Sequence, residues 1–491
     1  MKFKRRTDID NQTRAQIAMQ AFLGHGVYGE ITKIAKFYEV SRLFVYKLIW
    51  QLRLFYELEL IPPISQKAVS VEIDRHILLL RLEGHCSLER ISQIIKQLGF
   101  PFSSVGYISQ RLTAYACALP KEKLSGVQMI FLLCDEIFTR GRPILITVDP
   151  HSLAIIKIEL VKKRNAESWK KHWEELVEAG LITHPIVVSD QGSGLVKGCE
   201  LMGLTHHPDL FHLLRGLARL GTRLYRKAIA AIKLEYARAA VIESSKTEGT
   251  FNKRLQMYET AKVEADKAIS RYDDFCYLWK ELRVALELFD KEGRIIEISF
   301  RKAQIKAVLD LMGELGDEKL NQELKSFSAG LEDYWGYYQR AAAVYGQLLE
   351  RYPHEVVQML AVGWQFKRQA TNSKDYDLRK RLIEEAEFYF ASAASLMPEQ
   401  LNQYEVIRKG VIEALDSEVR SSSLVENVNS SLRALLESCR GQVKQDMLDL
   451  FAYVHNHRQF VRGKRVGQAP IEILTGKKME RTWLESLLDA A

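Results

Sequence analysis

The sequence predicts a mixed α/β core that is interrupted by a large all-helical insertion and preceded by small domains of the helix-turn-helix type. Three observations support this fold class. Short apolar strand-like runs are confined to residues 126–225, and helical periodicity without strand patterns dominates residues 226–420. Two helix–turn–helix patterns occupy residues 1–60 and 61–120. Residues 421–491 are expected to return to the core and to end in a basic tail.

Composition sets broad limits on the class of protein. The 491 residues are 47% hydrophobic and 27% charged, which is ordinary for globular chains with two to four domains. The net charge of +8 hints at a polyanionic partner without establishing one. Six scattered cysteines argue against zinc modules and disulfide frameworks. With no secretory signal and no membrane-length apolar run, the sequence predicts a cytoplasmic protein associated with the nucleoid.

The first helical unit has the pattern of a DNA-binding helix-turn-helix. Small Ala35 allows two helices to cross closely, and Ser41 is expected to cap the second helix. The start of that helix would then enter the major groove of DNA, which makes Ser41, Arg42, Tyr46 and Lys47 the candidate contacts. The alternative is a small helical bundle that docks a protein.

The sequence predicts a second, similar unit farther along the chain, since both units start from a Gly-His pair, at Gly24-His25 and at Gly84-His85. The second unit also has a helix, a turn and a serine-containing helix start, but its turn includes Pro101. Residues 61–70 between the units are expected to form a linker. A helical bundle that docks a protein is a stronger alternative for this second unit than for the first.

Residues 126–225 contain three short apolar strands in meander order, a helix, and then a fourth strand. The helix is expected to begin after Asn165, which has the side chain of a good N-cap. Three antiparallel strands, a helix and a buried parallel strand form the order of the ribonuclease H-like fold. Doubly wound nucleotide-binding folds alternate strand and helix from the outset, and the chain has no glycine-rich phosphate loop.

Three acidic residues fit the positions at which this fold carries catalytic carboxylates. Asp135 lies in the first strand, Asp190 follows the fourth strand, and Glu426 lies on a later helix. Phosphodiester chemistry uses two Mg²⁺ ions about 3.5–4 Å apart, and carboxylate oxygens are suitable ligands for them. Glu413 and Glu418 are alternatives for the third acid, although their helix has an ordinary amphipathic pattern.

Two further acids near the first strands have other expected roles. Side-chain alternation sends Glu136 to the opposite face of the sheet from Asp135. Asp149, which precedes a proline, is expected to form a hairpin turn.

The chain resembles the bacterial insertion-sequence transposases of the DDE superfamily over most of residues 130–225 and 420–476. The resemblance is carried by the segments DEIF, VVSDQGSGL, HHPDLFHLLR, SLVENVNSSLR and NHRQFVRGKRVGQAPIEILTG. It implies that Asp135, Asp190 and Glu426 bind two Mg²⁺ ions, for which Mn²⁺ can substitute. It also implies double-stranded DNA partners, namely element ends and target DNA, and a homodimer or higher synaptic assembly.

The motif that follows the second acid resembles the Asp/Cys-x-x-His motif of eukaryotic relatives with helical insertions. Asp209 and His212 occupy its positions, either to brace the site or to contact substrate. Asp190 and Glu426 are much farther apart in this sequence than in uninterrupted relatives, which the helical insertion explains. Within the insertion, Trp279 and Trp335 are expected to pack in the core, and stacking on an unpaired DNA base is the alternative.

Cations follow the third acid and are candidates for DNA phosphates. Arg433 lies two turns after Glu426 on the same helix face, where it can reach a phosphate or pair with Glu437. Four more cations lie around two glycines in the tail, and clustered cations on a loop suit backbone phosphates. They are Arg458, Arg462, Lys464 and Arg465.

Together these features predict a DNA transposase that binds transposon ends and catalyses Mg²⁺-dependent strand cleavage and strand transfer. Water attack would cut the element's ends, and the freed 3′-hydroxyl would attack the target. One alternative is a catalytically inactive, transposase-derived DNA-binding regulator. Another is a metal-dependent DNA nuclease without strand transfer.

Overall fold

The computed structural model describes residues 8–24, 27–59, 66–120, 124, 127–183, 185–422 and 424–490. The protein is mixed α/β, 68% helical, with one five-stranded mixed sheet. Its chain forms two compact units, Met1–Leu112 and Thr113–Ala491. Within the described ranges, no helix combines the length and the apolar character needed to cross a bilayer.

The first unit begins with three helices around a small apolar core. They are α1 Asn11–Leu23, α2 Glu30–Phe37 and α3 Arg42–Glu59. Ala35 is buried where α2 meets this core, and Glu39 makes the turn with a positive φ of 52°. The hydroxyl of Ser41 accepts a hydrogen bond from Phe44 N at 3.2 Å, which confirms its predicted capping role. Helix α3 continues to Glu59.

The second helical pattern follows the same local rules. Its helices are α4 Gln66–Leu78, a π-helical turn Leu79–Glu83, α5 Leu88–Gln97 and α6 Val105–Cys117. Ser87 and Ser104 cap α5 and α6 by accepting backbone N–H groups. The described part of the predicted linker, residues 66–70, is helical, which corrects that expectation; residues 60–65 and His25 lie outside the described residues.

Within its described residues, the second unit contains the sheet and the thirteen helices α7–α19. The strands are β1 Phe131–Thr139, β2 Arg142–Val148, β3 Ile155–Leu160, β4 Ile186–Ser189 and β5 Thr205–Pro208. The helices that flank or interrupt the sheet are α7 Ala166–Glu178, α8 Ser193–Met202, α9 Leu210–Ala240, α10 Glu248–Ala285, α11 Ile298–Gly313, α12 Glu318–Arg351, α13 His354–Asn372, α14 Tyr376–Ser395, α15 Leu401–Ser417, α16 Val425–Ser438, α17 Gln445–His457, α18 Pro470–Thr475 and α19 Trp483–Ala490.

The sheet has the order β3-β2-β1-β4-β5, with β1 at its centre. Strands β1, β2 and β3 form an antiparallel meander, whereas β4 and β5 run parallel to β1. The predicted order of three antiparallel strands, a helix and a parallel strand is therefore confirmed. Asp149 forms the predicted tight turn, because its carboxylate accepts the N–H and the hydroxyl of Ser152. Strand β5 was not expected from the sequence.

Helices cover both faces of the sheet. Even-numbered residues of β1, such as Cys134, pack with Trp169 and Trp173 of α7. Odd-numbered residues, such as Leu133, pack with α16 and α17. Asn165 caps α7 as predicted, since its side chain accepts Ser168 N at 3.1 Å. This alternation decides which acidic side chains of β1 can meet α16.

The helices α9–α15 share a separate apolar core. Helix α9 runs without a break across the predicted domain boundary between residues 225 and 226. Trp335 is buried in this core, and Trp279 packs against it, in agreement with the predicted packing role. The chain then returns to the sheet at α16.

Candidate active site

The centre of the sheet brings Asp135 and Asp190 together. Strands β1 and β4 are parallel, with Leu133 opposite Val188, so each acid lies two residues beyond this pair on neighbouring strands. Burial raises the pKa of Asp135 to about 6, and the negative charge of Asp190 contributes to the rise. The sequence-predicted juxtaposition of the first two acids is therefore present.

The carboxylate of Asp135 is held by a residue that sequence reasoning missed. Asn429 Nδ2 on α16 donates a hydrogen bond to Asp135 Oδ2 at 2.6 Å. Asn429 is fully buried, and its Oδ1 atom has no hydrogen-bond partner in the described structure. Its spacing could have indicated this role, because Asn429 lies three residues, or about one helical turn, after Glu426.

Asp190 is positioned by the tight turn that follows β4. Its Oδ1 accepts a hydrogen bond from Gly192 N at 3.0 Å. A Cβ atom added at Gly192 would lie only 3.0 Å from the same carboxylate oxygen, so a larger residue would push against Asp190. The glycine thus allows the backbone to approach the acid closely.

Glu426 has a different partner from the one expected. Its carboxylate pairs with Arg433 at 3.2 Å, and the two side chains are 41% and 51% exposed. Arg433 therefore pairs with Glu426 and not with Glu437. In the part of the chain that the structure describes, no three His, Cys, Asp or Glu side chains are grouped closely enough to hold a metal ion. A shared site of Glu426 with the other two acids stays a prediction.

The alternative third acids have partners of their own. Glu418 pairs with Arg340 at 3.1 Å, and Glu413 lies 3.8 Å from Lys409. Both pairs involve residues of the helical insertion.

Glu136 projects from the face of β1 that packs on α7 and pairs with Arg164 at 2.6 Å. Burial raises the pKa of Glu136, and the charge of Asp190 adds to the rise against the opposing effect of Arg164. Asp190 thus acts electrostatically on acids from both faces of the sheet.

Asp209 and His212 form a buried pair beside these acids. Asp209 caps α9 by accepting Phe211 N at 2.7 Å, and its other oxygen lies 2.7 Å from His212 Nδ1. The hydroxyl of Ser422 also donates to Asp209. Burial raises the pKa of Asp209, but hydrogen bonds from His212 and Ser422 outweigh it and hold the pKa below its ordinary value.

The electrostatics of His212 link this pair to the acids. The hydrogen bond with Asp209 raises the pKa of His212 against the effect of burial, and the charges of Asp190 and Asp135 add to the rise. All three carboxylates thus favour the protonated form of the His212 imidazole. This arrangement fits a brace for the acids.

Replacement of His212 by Gln should remove a pH-dependent contribution to stability. Because the folded-state pKa of His212 is raised, its stabilising effect is complete below the unfolded pKa of about 6.5 and is lost as pH rises through the folded value. We expect the variant to lose about 1.5 kcal/mol below pH 6.5 and less in alkaline buffer.

Melting temperatures of wild-type protein and His212→Gln, measured from pH 6 to pH 9, test this expectation. The exposed His354, for which His354→Gln should change nothing, is the matched control. A constant difference across the pH range would contradict the assigned charge pair.

The tail cations divide into two groups. Arg465 donates to the carbonyls of Pro150 and His151 at 3.0 and 2.8 Å, and Lys464 pairs with Asp416 at 3.2 Å. These two side chains hold the tail against other parts of the second unit. Arg458 and Arg462 are exposed on the surface. Phosphate contact by all four residues stays a prediction.

The start of α3 presents the predicted DNA contacts to the surface. Arg42, Tyr46 and Lys47 are all exposed, while Val45 and Leu48 between them point into the core. This division of faces is what a helix needs to lie in a groove while remaining attached to its own unit.

A pocket of about 290 Å³ opens beside the Asp209–His212 pair, between α9 and α12. Gln191, the residue directly after Asp190, lines it together with Arg215, Arg219 and Glu323. Sequence reasoning missed these two arginines as site residues, although their four-residue spacing on one helix was visible.

No protein-family model and no curated protein matches this chain.

Proposed function

We propose that this protein is a DNA transposase of the DDE type, which cleaves transposon ends and transfers the freed strand to target DNA. One observation carries the proposal: Asp135 lies in β1 and Asp190 directly follows the neighbouring parallel strand β4, and their mutual repulsion contributes to the raised pKa of Asp135. Like charges that are held together in this way indicate a site for a cation or a shared proton.

The sheet supports a ribonuclease H-like core as part of this proposal. An antiparallel meander β3-β2-β1 continues into the parallel strands β4 and β5, and helices cover both faces. The first acid lies in the central strand and the second follows its parallel neighbour. The helical insertion lies between β5 and α16, so it separates the second acid from the third without entering the sheet.

The residues at the acid pair fit Mg²⁺ or Mn²⁺. Carboxylate and amide oxygens are ligands suited to these ions, and the buried Oδ1 of Asn429 has no other partner in the described structure. Asp135 and Asp190 would hold the metal, and Glu426 is the proposed third ligand on the helix that already touches Asp135. Such ions, when bound, activate water and stabilise the leaving oxygen of a phosphodiester.

The protein side chains orient the reacting groups. Asn429 fixes the rotamer of Asp135, and the turn at Gly192 fixes Asp190. Asp209 orients His212 and favours its protonated form, which would supply a positive charge near the scissile phosphate. Water would then attack the phosphorus at the element end and give up a proton to solvent. The bond between phosphorus and the 3′-oxygen breaks, and that oxygen takes up a proton to become a 3′-hydroxyl. In the second step this 3′-hydroxyl attacks a target phosphodiester and releases a new 3′-hydroxyl.

The helical unit with Arg42, Tyr46 and Lys47 would recognise the element's terminal repeats through the major groove. Two ends must be held together for a single transfer reaction, so the proposed active form is a homodimer or a higher synaptic assembly. The tail cations Arg458 and Arg462 would contact DNA phosphates.

The proposal is tested by incubating the full-length protein with the DNA that flanks its own coding sequence. In Mg²⁺ or Mn²⁺ we expect strand breaks at defined positions on both sides, and no breaks in EDTA. Mapping the 3′ and 5′ ends by primer extension identifies the cleaved bonds. Absence of defined breaks with both metals, from protein that binds the same DNA, would refute the catalytic assignment.

One observation favours an inactive DNA-binding regulator. The carboxylate of Glu426 pairs with Arg433, and in the described residues it is not grouped with the two aspartates closely enough to share a metal ion. A nuclease that cuts without joining is the other alternative. Pre-cut ends supplied with a labelled target separate the three possibilities. A transposase joins the ends to the target, a nuclease cuts but leaves the ends unjoined, and a regulator does neither.

A further inference from the structure

Helix α9 carries a row of cations that begins beside the Asp209–His212 pair. At about 100° per residue, the four positions fall within an arc of roughly 40° on one side of the helix. We call this row the α9 stripe; it consists of Arg215, Arg219, Arg226 and Lys233. The apolar side of α9, with buried Leu217, Leu220 and Leu224, faces the helical core.

The side chains of the α9 stripe form no ion pairs within the described structure. All four side chains are exposed, and none has a hydrogen bond or an ion pair within the described structure. Other cations of α9 behave differently, since Arg223 and Lys227 both pair with Asp317, at 3.5 and 2.6 Å. The first acidic residue of α9 is Glu235, beyond the end of the stripe.

The stripe is continuous with the candidate active site through the pocket between α9 and α12. Arg215 and Arg219 line this pocket together with His212 and with Gln191, the neighbour of Asp190. On the opposite wall, Glu323 lies so close to α9 that a side chain at Gly216 would overlap its carboxylate. The negative charge of Glu323 therefore opposes an anion in this part of the pocket, and its removal should strengthen phosphate binding.

We propose that the α9 stripe binds the phosphate backbone of one DNA strand, namely the strand that continues from the phosphate held at Asp135 and Asp190. The inference rests on the proposed function and adds the path of the substrate. The stripe spans about 27 Å at 1.5 Å per residue, which corresponds to about eight nucleotides of one strand. Exposed arginines without protein partners suit phosphates, and such contacts carry no base specificity.

The first test measures binding in the full-length Asp190→Asn protein, so that cleavage does not interfere. The probe is a fluorescein-labelled 30-base-pair duplex from the DNA that flanks the coding sequence. Adding Arg215→Ala with Arg219→Ala should weaken binding roughly tenfold and lower the salt slope of log K by about two. Arg226→Ala with Lys233→Ala, farther from the pocket, should lower the slope similarly, whereas Glu323→Gln should tighten binding.

The matched control is Arg381→Ala, an exposed arginine on α14 without a partner in the described structure. It should leave the slope unchanged. Equal slopes for the stripe variants and this control would overturn the inference. If the stripe variants bind one DNA sequence more weakly but bind an unrelated duplex as well as before, the inference is also overturned, because phosphate contacts are insensitive to sequence.

A second test separates this inference from the proposed function. In otherwise wild-type protein, Arg226→Ala with Lys233→Ala should raise the KM for cleavage about tenfold and leave kcat unchanged within a factor of three. If wild-type protein cleaves the DNA and the variant has an unchanged KM, the inference about the stripe is rejected and the proposed transposase function stands. If wild-type protein does not cleave but the stripe variants show a reduced salt slope, the stripe is a DNA-binding surface and the catalytic assignment is rejected.

Discussion

Replacing Asp135 by Asn should abolish DNA cleavage and, at the same time, stabilise the fold at neutral pH. Loss of a metal-binding carboxylate should lower the cleavage rate by at least about 10³, or about 4 kcal/mol in the barrier. The folded-state pKa of about 6 lies above the ordinary value of 3.8, so the ionised carboxylate destabilises the folded state above pH 6. Removing that charge should add up to about 3 kcal/mol to the free energy of unfolding.

The stability gain should depend on pH in a defined window. As pH falls from about 6 towards 3.8, wild-type Asp135 binds a proton in the folded state, and its disadvantage relative to Asn disappears. Urea unfolding at pH 7.5, 6.0 and 4.5 measures the difference. Mg²⁺ binding, which requires the ionised carboxylate, should weaken in the same window.

The matched control is Asp310→Asn on α11, an exposed acid without a partner in the described structure, which should change neither activity nor stability. Asp190→Asn should likewise abolish cleavage while DNA binding is retained. Full cleavage by either site variant would remove the metal-site assignment. Loss of cleavage together with loss of stability would instead indicate that Asp135 has a structural role.

Local patterns in the sequence were sufficient for four of the five strands. Short apolar runs identified β1–β4, and side-chain alternation sent Asp135 and Glu136 to opposite faces, as the structure has them. Capping by Ser41 and Asn165 was predictable because a cap is a contact between residues close in the chain. Strand β5 was missed because its four residues contain two histidines and a proline, with little strand character.

Contacts between distant residues could not be read from the sequence. Asn429 meets Asp135 only because α16 packs on the odd-numbered side of β1, after an insertion of almost two hundred residues. Whether Glu426 forms an ion pair with Arg433 depends on the rotamers of these two half-exposed side chains. Arg465 donates to two carbonyls of the β2–β3 turn, and this contact joins residues that are more than three hundred positions apart in the chain.

The helical insertion joins the candidate site through a largely buried charge cluster centred on Glu287. Its carboxylate pairs with Arg368 at 3.1 Å and with Arg420 at 3.6 Å. The carbonyl of Arg420 accepts Leu210 N at the start of α9, and Ser422, two residues later, donates to Asp209. One short segment thus contacts both the insertion core and the Asp209–His212 pair.

Replacing Glu287 by Ala should therefore cost about 3–5 kcal/mol, because it leaves two largely buried guanidinium groups without their counter-charge. Burial raises the pKa of Glu287, but the two arginines outweigh it and lower the pKa overall. Its contribution is consequently present above its unfolded pKa of about 4.3 and is lost as pH falls through the lower folded value. The urea midpoint at neutral pH should fall markedly.

The exposed pair of Glu332 with Lys302, at 3.1 Å, supplies the control, since Glu332→Ala should cost no more than about 1 kcal/mol. Glu287→Gln keeps the shape of the side chain and should be destabilising mainly through the lost charge. Since the same segment contacts the Asp209–His212 pair, we expect Glu287→Gln to raise the pKa of Asp209. Under conditions where Glu287→Gln remains folded, it should also slow cleavage. Equal urea midpoints for Glu287→Ala and Glu332→Ala would show that the cluster is not what secures the insertion to the site.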